Sequence, residues 1–194
     1  IDLRNREIFL SDISDGMVDE VRNKLGSNFN CIVVNAEKIP FKDAYFDTII
    51  ANHVLFYLND LNLGLKEIDR VLRPNGIFYC STYGKEHMKE ITEIVQNFDS
   101  RINLSNHSLY DIFGLENGEV ILKKYFSNVQ RLEYPDSLEI TESKPLIDYI
   151  MSCHGNQNEI LGPRLNEFKE YIETILNKND KIVVTKQAGL FVCW

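Results

Sequence analysis

Short apolar runs alternate along the chain with stretches in which apolar residues recur every third or fourth position. Glu7 to Asp12, EIFLSD, reads as a strand that stops at an acidic residue. Ser14 then caps a helix with Met17, Val21 and Leu25 on one face, and Gly26 stands just past its end. Cys31 to Val34 is a second strand, followed by the polar step Asn35-Ala36-Glu37. The third strand, Asp47 to Ala51, is apolar beyond Asp47 apart from Thr48, the pattern of a strand covered on both faces. Leu61, Leu65, Ile68 and Leu72 recur at helical spacing up to RPNG, where Pro74 cannot continue a helix and Gly76 permits a turn. Ile77 to Thr82 is the next buried strand, and Met88, Ile91, Val95 and Phe98 mark the next helix.

Residues 99 to 125 are weakly patterned and punctuated by Asn103, Asn106, Gly114, Asn117 and Gly118, so the region 99–165 reads as a lid or cap over a site. A strand from Val129 to Tyr134 follows, then helices at Pro145 to Cys153 and Pro163 to Leu176, the latter with Leu165, Phe168, Ile172 and Ile175 on one face. Lys181 to Thr185 and Gly189 to Cys193, around KQAG, read as a hairpin-like or antiparallel terminal strand. Strand and helix alternating in this way predict one domain over residues 1–194. Its core is an open α/β sheet of parallel strands, with helices on both faces and an antiparallel C-terminal strand.

Composition narrows the partners. Twenty-one basic residues against 29 acidic give a net charge of −8, which opposes a phosphate backbone and argues against nucleic acid. Cys31, Cys80, Cys153 and Cys193 form no C-x-x-C pair and read as buried thiols rather than a metal site or disulfide framework. The longest uncharged apolar-rich run, Thr48 to Leu58, is too short to span a bilayer, and no signal peptide precedes it, so a cytoplasmic protein away from membranes is expected. The chain opens on Ile1 and reaches a strand within a few residues, which reads as a start lying upstream.

In an open α/β sheet, ligands bind beyond the carboxyl ends of the strands. The residues there are Asp12, Asn35-Ala36, Asn52-His53 and Thr82-Tyr83. An acid at the tip of such a strand can accept two ribose hydroxyls, and a polar side chain followed by a backbone N–H can read an adenine edge, so the set describes a nucleoside pocket. Asp12 also suits an ordinary helix start before the Ser14 cap, and Asn35-Ala36 a plain turn.

LSDISDGMVDEVRNKL, VVNAEKIPFKDAYFDTIIANHVLFYL and LKEIDRVLRPNGIFYCST resemble, in order and spacing, segments of class I S-adenosylmethionine-dependent methyltransferases, in particular the methyltransferase type 11 group. The resemblance covers about residues 7 to 84, and TKQAGLFVCW resembles the antiparallel last strand of that Rossmann-like fold. It implies S-adenosylmethionine as cofactor and a small-molecule methyl acceptor. Asp12 would hold the ribose, Ile13 and Met17 would pack beside the adenine, Asn35 and Ala36 would meet its edge, and Asn52 and His53 would lie beneath the methionine part. The family most often has Asp at the position of Asn35 and Gly at that of Asn75. Its glycine-rich loop has no counterpart, since no Gly-x-Gly occurs in the sequence. The family's first strand, which lies between those of Glu7 and Asp47, is thus expected upstream or lost, and this chain alone is expected to bind cofactor weakly.

Methyl transfer asks mainly for orientation; an oxygen or carbon acid also needs a base. Candidates by position and chemistry are His53, Tyr57, Tyr83, His87 and Tyr110, each of which also suits a structural role, while His87 and His107 read as surface residues. Two rival readings stand beside this one. One is a nicotinamide-dependent oxidoreductase, which also uses an acid at a ribose. The other is a degenerate domain that acts by association, with a homo-oligomer formed through the incomplete sheet.

Overall fold

The structure, a computed structural model, describes residues 6–26, 29–105 and 108–194. The expectations for Ile1, Asn106 and His107 lie outside these residues.

β1 (Phe9–Asp12) and β2 (Asn30–Val33) pair in parallel, with Leu10 opposite Cys31, and α1 (Asp15–Leu25) connects them. Ser14 caps α1 by accepting the Met17 N–H at 3.4 Å, and Gly26 leaves it with φ 71°, a conformation that glycine adopts without a Cβ penalty. The buried position of α1 is Val18, not the expected face: Met17 is 50 % and Leu25 46 % exposed. Two four-residue strands cover only a narrow strip of an eleven-residue helix.

A second sheet has the order β3-β4-β6-β5. β3 (Phe46–Asn52) runs parallel to β4 (Leu72–Tyr83), while β6 (Ile182–Cys193) lies antiparallel between β4 and β5 (Val129–Ile140). Among the described residues, β1 has β2 as its one neighbour and β3 has β4, and no strand lies between them. Phe9 of β1 meets Phe46 of β3 ring to ring at 5.6 Å, within a cluster that includes Phe41 and Tyr45. β3 is not covered on both faces as its pattern predicts: Ile50 is 51 % exposed.

One turn reading is corrected. RPNG does not separate helix from strand: α2 (Leu61–Val71) passes directly into β4, and the four residues form an irregularity opposite Phe46 and Thr48. Asn75 takes φ 65° there, a left-handed conformation that asparagine tolerates better than most residues. Of the two readings of KQAG, the antiparallel terminal strand is the one seen and the hairpin is not, since β6 is continuous for 12 residues. Lys186 reaches Asp136 of β5 at 2.9 Å, Gln187 accepts the Glu86 N–H at 2.8 Å, and a Cβ on Gly189 would stand 2.8 Å from the Leu132 carbonyl. The polar residues are therefore spent across the sheet, and the glycine admits a close neighbour. Pro135 sits on the outer strand β5, where a missing N–H costs no ladder bond.

β6 serves two cores. Phe191 and Cys193 join Leu65 and Ile68 of α2, Phe78 and Cys80 of β4, and Phe113, Leu115 and Leu122. Ile182 and Val184, of opposite parity, join α3 (Lys89–Phe98), α6 (Ser143–Ser152) and α8 (Leu165–Asn179) through Ile91, Val95, Ile150, Phe168 and Ile172. Helices thus lie on both faces. In α8 the enclosed stripe is Phe168, Ile172 and Leu176, at steps of four, and Leu165 is exposed. Within 99–165, α4 (Leu109–Ile112), α5 (Gly118–Leu122) and α7 (Gln157–Leu161) are short, and Thr82 Oγ1 donates to the Phe113 carbonyl at 2.7 Å. Cys31, Cys80 and Cys193 are buried and Cys153 partly so; the neighbouring Cys193 thiol and burial push the Cys80 thiol far above its ordinary range. No helix among the described residues is long and apolar enough to cross a membrane.

Candidate active site

The carboxyl ends of β1, β2, β3 and β4 carry the residues singled out by position. At the tip of β1, Asp12 Oδ1 accepts the Ser14 N–H at 2.9 Å, and Oδ2 accepts no protein hydrogen bond among the described residues. One carboxylate oxygen therefore orients the side chain and the other is available. Ile13 is 67 % exposed beside it, with Met17 one helical turn on. After β2, Asn35 Oδ1 accepts the Glu37 N–H at 2.8 Å and the Asn35 carbonyl accepts the Lys38 N–H at 2.9 Å, a tight turn that holds Ala36 at its outer corner. Glu37 fixes the turn against α2 by accepting the Asn59 and Asp60 N–H groups at 2.6 and 3.2 Å. Farther along, Glu67 accepts the Ile39 N–H at 2.8 Å, and Arg70 donates to the Ile39 and Phe41 carbonyls, so the segment with Pro40-Phe41 is fastened to one helix. The plain-turn and cap readings of Asn35 and Asp12 are thus seen, and both leave surface for a ligand.

Asn52 ends β3, its Oδ1 accepting from Ser81 Oγ at 3.4 Å. His53 follows at φ 51°, held there by its N–H, which reaches both the carbonyl and the hydroxyl of Ser81 at 3.2 Å. A left-handed conformation at a non-glycine residue is a local strain of the kind that gathers at functional sites. Met88 repeats it at φ 56°.

Four of the five base candidates join through ring contacts, and Tyr110 acts on Tyr83 electrostatically. His53 stacks on Tyr83 with centroids 6.2 Å apart and planes at 22°; Tyr83 meets His87 at 5.2 Å and Phe56 at 5.3 Å; Phe56 meets Tyr57 at 4.7 Å. Burial pushes the Tyr83 phenol up, and the phenols of Tyr57, Tyr149 and Tyr110 add to the rise. Burial lowers the His53 imidazole, and burial together with His53 and Lys186 lowers His87. His87 is thus not a surface residue: it is partly buried and its Nδ1 is enclosed without a partner among the described residues. Sequence reasoning missed Phe56, Ser81 and Tyr149. Ser81 adjoins the named Thr82-Tyr83, whereas Tyr149 comes from α6, 66 residues beyond Tyr83, and carries no local signal. A cavity of about 410 Å³ lies elsewhere, at the opposite end of β4 by Arg73, Asn75, Tyr125 and Trp194, and shares no residue with this edge.

The imidazoles set a pH dependence. A histidine lowered in the folded state binds its proton more readily once unfolded, so stability falls as the pH drops below the ordinary value of 6.5. Depressed carboxyls act in the same sense at lower pH: Arg70 holds Glu67 low, and Arg101 holds Asp99 low. Urea unfolding is therefore expected to show a midpoint that declines steadily from pH 7 to pH 4. His53→Gln with His87→Gln should flatten the part between pH 6.5 and 5; an unchanged profile would count against neutral imidazoles in the fold.

A family described as a methyltransferase domain matches residues 2–80. The chain is 37 % identical over 86 residues to the ubiquinone/menaquinone biosynthesis C-methyltransferase UbiE of Rickettsia prowazekii, covering 42 % of this chain and 35 % of that protein. It is 33 % identical over 86 residues to the mitochondrial arginine-hydroxylase NDUFAF5 of Danio rerio, covering 43 % and 26 %. The matched stretch thus spans about a quarter to a third of those relatives. Among solved structures, YcgJ of Bacillus subtilis aligns over 96 % of this chain and 81 % of its own with TM-score 0.59 at 14 % identity. A Thermotoga maritima S-adenosylmethionine-dependent methyltransferase aligns over 96 % and 72 % with TM-score 0.52 at 13 % identity. These two likenesses establish the fold.

Proposed function

We propose, from the premise that the chain belongs to the class I S-adenosylmethionine-dependent methyltransferases, that it binds the adenosine half of that cofactor at the tips of β1 and β2 and directs methyl transfer to a small-molecule acceptor. The observation that carries this is Asp12: its carboxylate is fixed through one oxygen and leaves the other for ribose hydroxyls, with Ile13 and Met17 exposed alongside for the face of a base. The Asn35 turn, closed by its own hydrogen bonds, carries the Ala36 backbone that would meet an adenine edge. The residues present therefore fit adenosine. When bound, the cofactor supplies an electrophilic methyl group, and the acceptor's proton must leave to a base. His53 and His87, kept neutral by burial, have the protonation state that a base requires.

The methionine half has less to hold it. No Gly-x-Gly turn occurs in the sequence, and the described residues provide no strand between β1 and β3 to carry one. Affinity for the whole cofactor is accordingly weak.

Titration of the chain with S-adenosylhomocysteine, followed by amide shifts, is expected to perturb Asp12, Ile13, Asn35 and Ala36 first. Asp12→Asn should weaken binding by about 2 kcal/mol, some thirtyfold, the scale of a lost hydrogen bond to a charged group. Perturbation of the same amides by NADH and not by S-adenosylhomocysteine would overturn the reading in favour of a nicotinamide enzyme.

A further inference from the structure

The ring ladder at the ends of β3 and β4 is more than a set of base candidates. We infer that it is a recognition surface for a planar, uncharged, hydroxylated aromatic ring, which would be the methyl acceptor. Calling that ring the acceptor rests on the methyltransferase reading, whereas recognition of the ring rests on the cluster itself.

Three observations lead there. First, three of the rings form a ladder: His53, Tyr83 and His87 follow one another with interplanar angles of 22° and 30°, while Phe56 stands edgewise to Tyr83 at 60° and closes one side. A near-parallel ladder favours continuation by another flat ring, because offset stacking adds about 1 kcal/mol beyond the area buried. Second, the cluster opens to solvent through aromatic groups: Tyr57 is 69 % exposed, and Tyr149 also shows substantial surface.

Third, hydrogen-bonding capacity is left unspent around it. Among the described residues, neither imidazole ring of His53 and His87 nor the hydroxyls of Tyr57, Tyr83 and Tyr110 makes a hydrogen bond, and the Tyr149 hydroxyl meets only sulfur, that of Met88 at 3.6 Å and the Cys153 thiol. Burial lowers both histidines and raises Tyr83, so that it works against charge at all three, and Lys186, the cation acting on His87, is paired with Asp136 at 2.9 Å. A carboxylate ligand would be desolvated here without a counter-ion, and an ammonium ligand likewise, while a phenolic hydroxyl could both donate and accept.

The test uses 2-naphthol, 2-naphthoate and 2-naphthyl-trimethylammonium as probes of one ring size and three charges, with binding to the chain followed by aromatic proton shifts at pH 7. The expected result is that 2-naphthol binds at least tenfold more tightly than either charged probe. Tyr83→Leu and Tyr57→Ala should each weaken it at least threefold, the exposed Tyr57 position keeping the test informative should Tyr83→Leu fail to fold. Equal or tighter binding of the anion or the cation, or naphthol binding unchanged in Tyr57→Ala, would overturn the inference. S-adenosylhomocysteine is titrated separately: naphthol binding without it would remove the methyltransferase reading and leave ring recognition standing, and the converse would remove this inference alone.

Discussion

Phe191→Ala is expected to cost about 3–5 kcal/mol, the range for deleting a large aromatic side chain from a closed core. The residue is fully buried at the middle of the second sheet, opposite Cys80 on one side and Arg131 on the other. Its ring meets Phe113 at 5.9 Å, and a Cβ placed on Gly118 would fall 2.6 Å from it, so α5 is seated directly on the ring. Removing it opens a void beneath α5 that the glycine cannot fill. Phe191→Leu, which keeps most of the volume, should cost less than half as much. Urea unfolding of the three proteins decides the matter; a loss under 1.5 kcal/mol in the alanine variant would mean that this core closes up around the deletion.

Gly155→Ala is the second large effect, and it acts by overfilling. The loop between α6 and α7 crosses the segment after α3 so closely that an added Cβ would lie 1.7 Å from the Asn103 carbonyl oxygen and 2.6 Å from its carbon. Those are backbone atoms, which cannot swing aside as a side chain can. The crossing is also fastened: Asn156 accepts the Asn103 N–H at 2.7 Å, donates its own N–H to the Asn103 carbonyl at 3.0 Å, and donates from Nδ2 to the Arg101 carbonyl at 3.0 Å. A methyl group must therefore break these bonds or shift α6, at a cost of about 3 kcal/mol, the upper part of the usual range for overpacking. Thermal unfolding should show it plainly. An unchanged Tm would mean that the two loops separate freely.

Much of this architecture can be read from the chain because periodicity reports burial. The steps Leu65, Ile68 and Ile91, Val95 mark faces that are indeed enclosed. Reading fails where a face finds no cover. Met17 and Leu25 have the right spacing but lie over two short strands, and Ile50 belongs to an apolar run with one side open. At KQAG it leaves a hairpin and a continuous strand both open. What fixes the four residues as strand is a lysine partner 50 residues away and a carbonyl on β5, which no local pattern reveals. Strand-end position singled out Asp12, Asn35, His53 and Tyr83, and each stands at or just beyond the end of its strand. It could not supply Tyr149, which reaches the group through the packing of α6, nor the left-handed turn at His53, which Ser81 imposes from the neighbouring strand.

β6 carries one further consequence. Its first residues belong to one hydrophobic assembly and its last to another, on opposite faces of a single unbroken strand. Neither assembly can come apart without releasing the strand that the other needs, so the two should melt as one cooperative unit. Amide exchange at Val184 and at Phe191 is therefore expected to share a single opening free energy, although the two residues are enclosed by different helices.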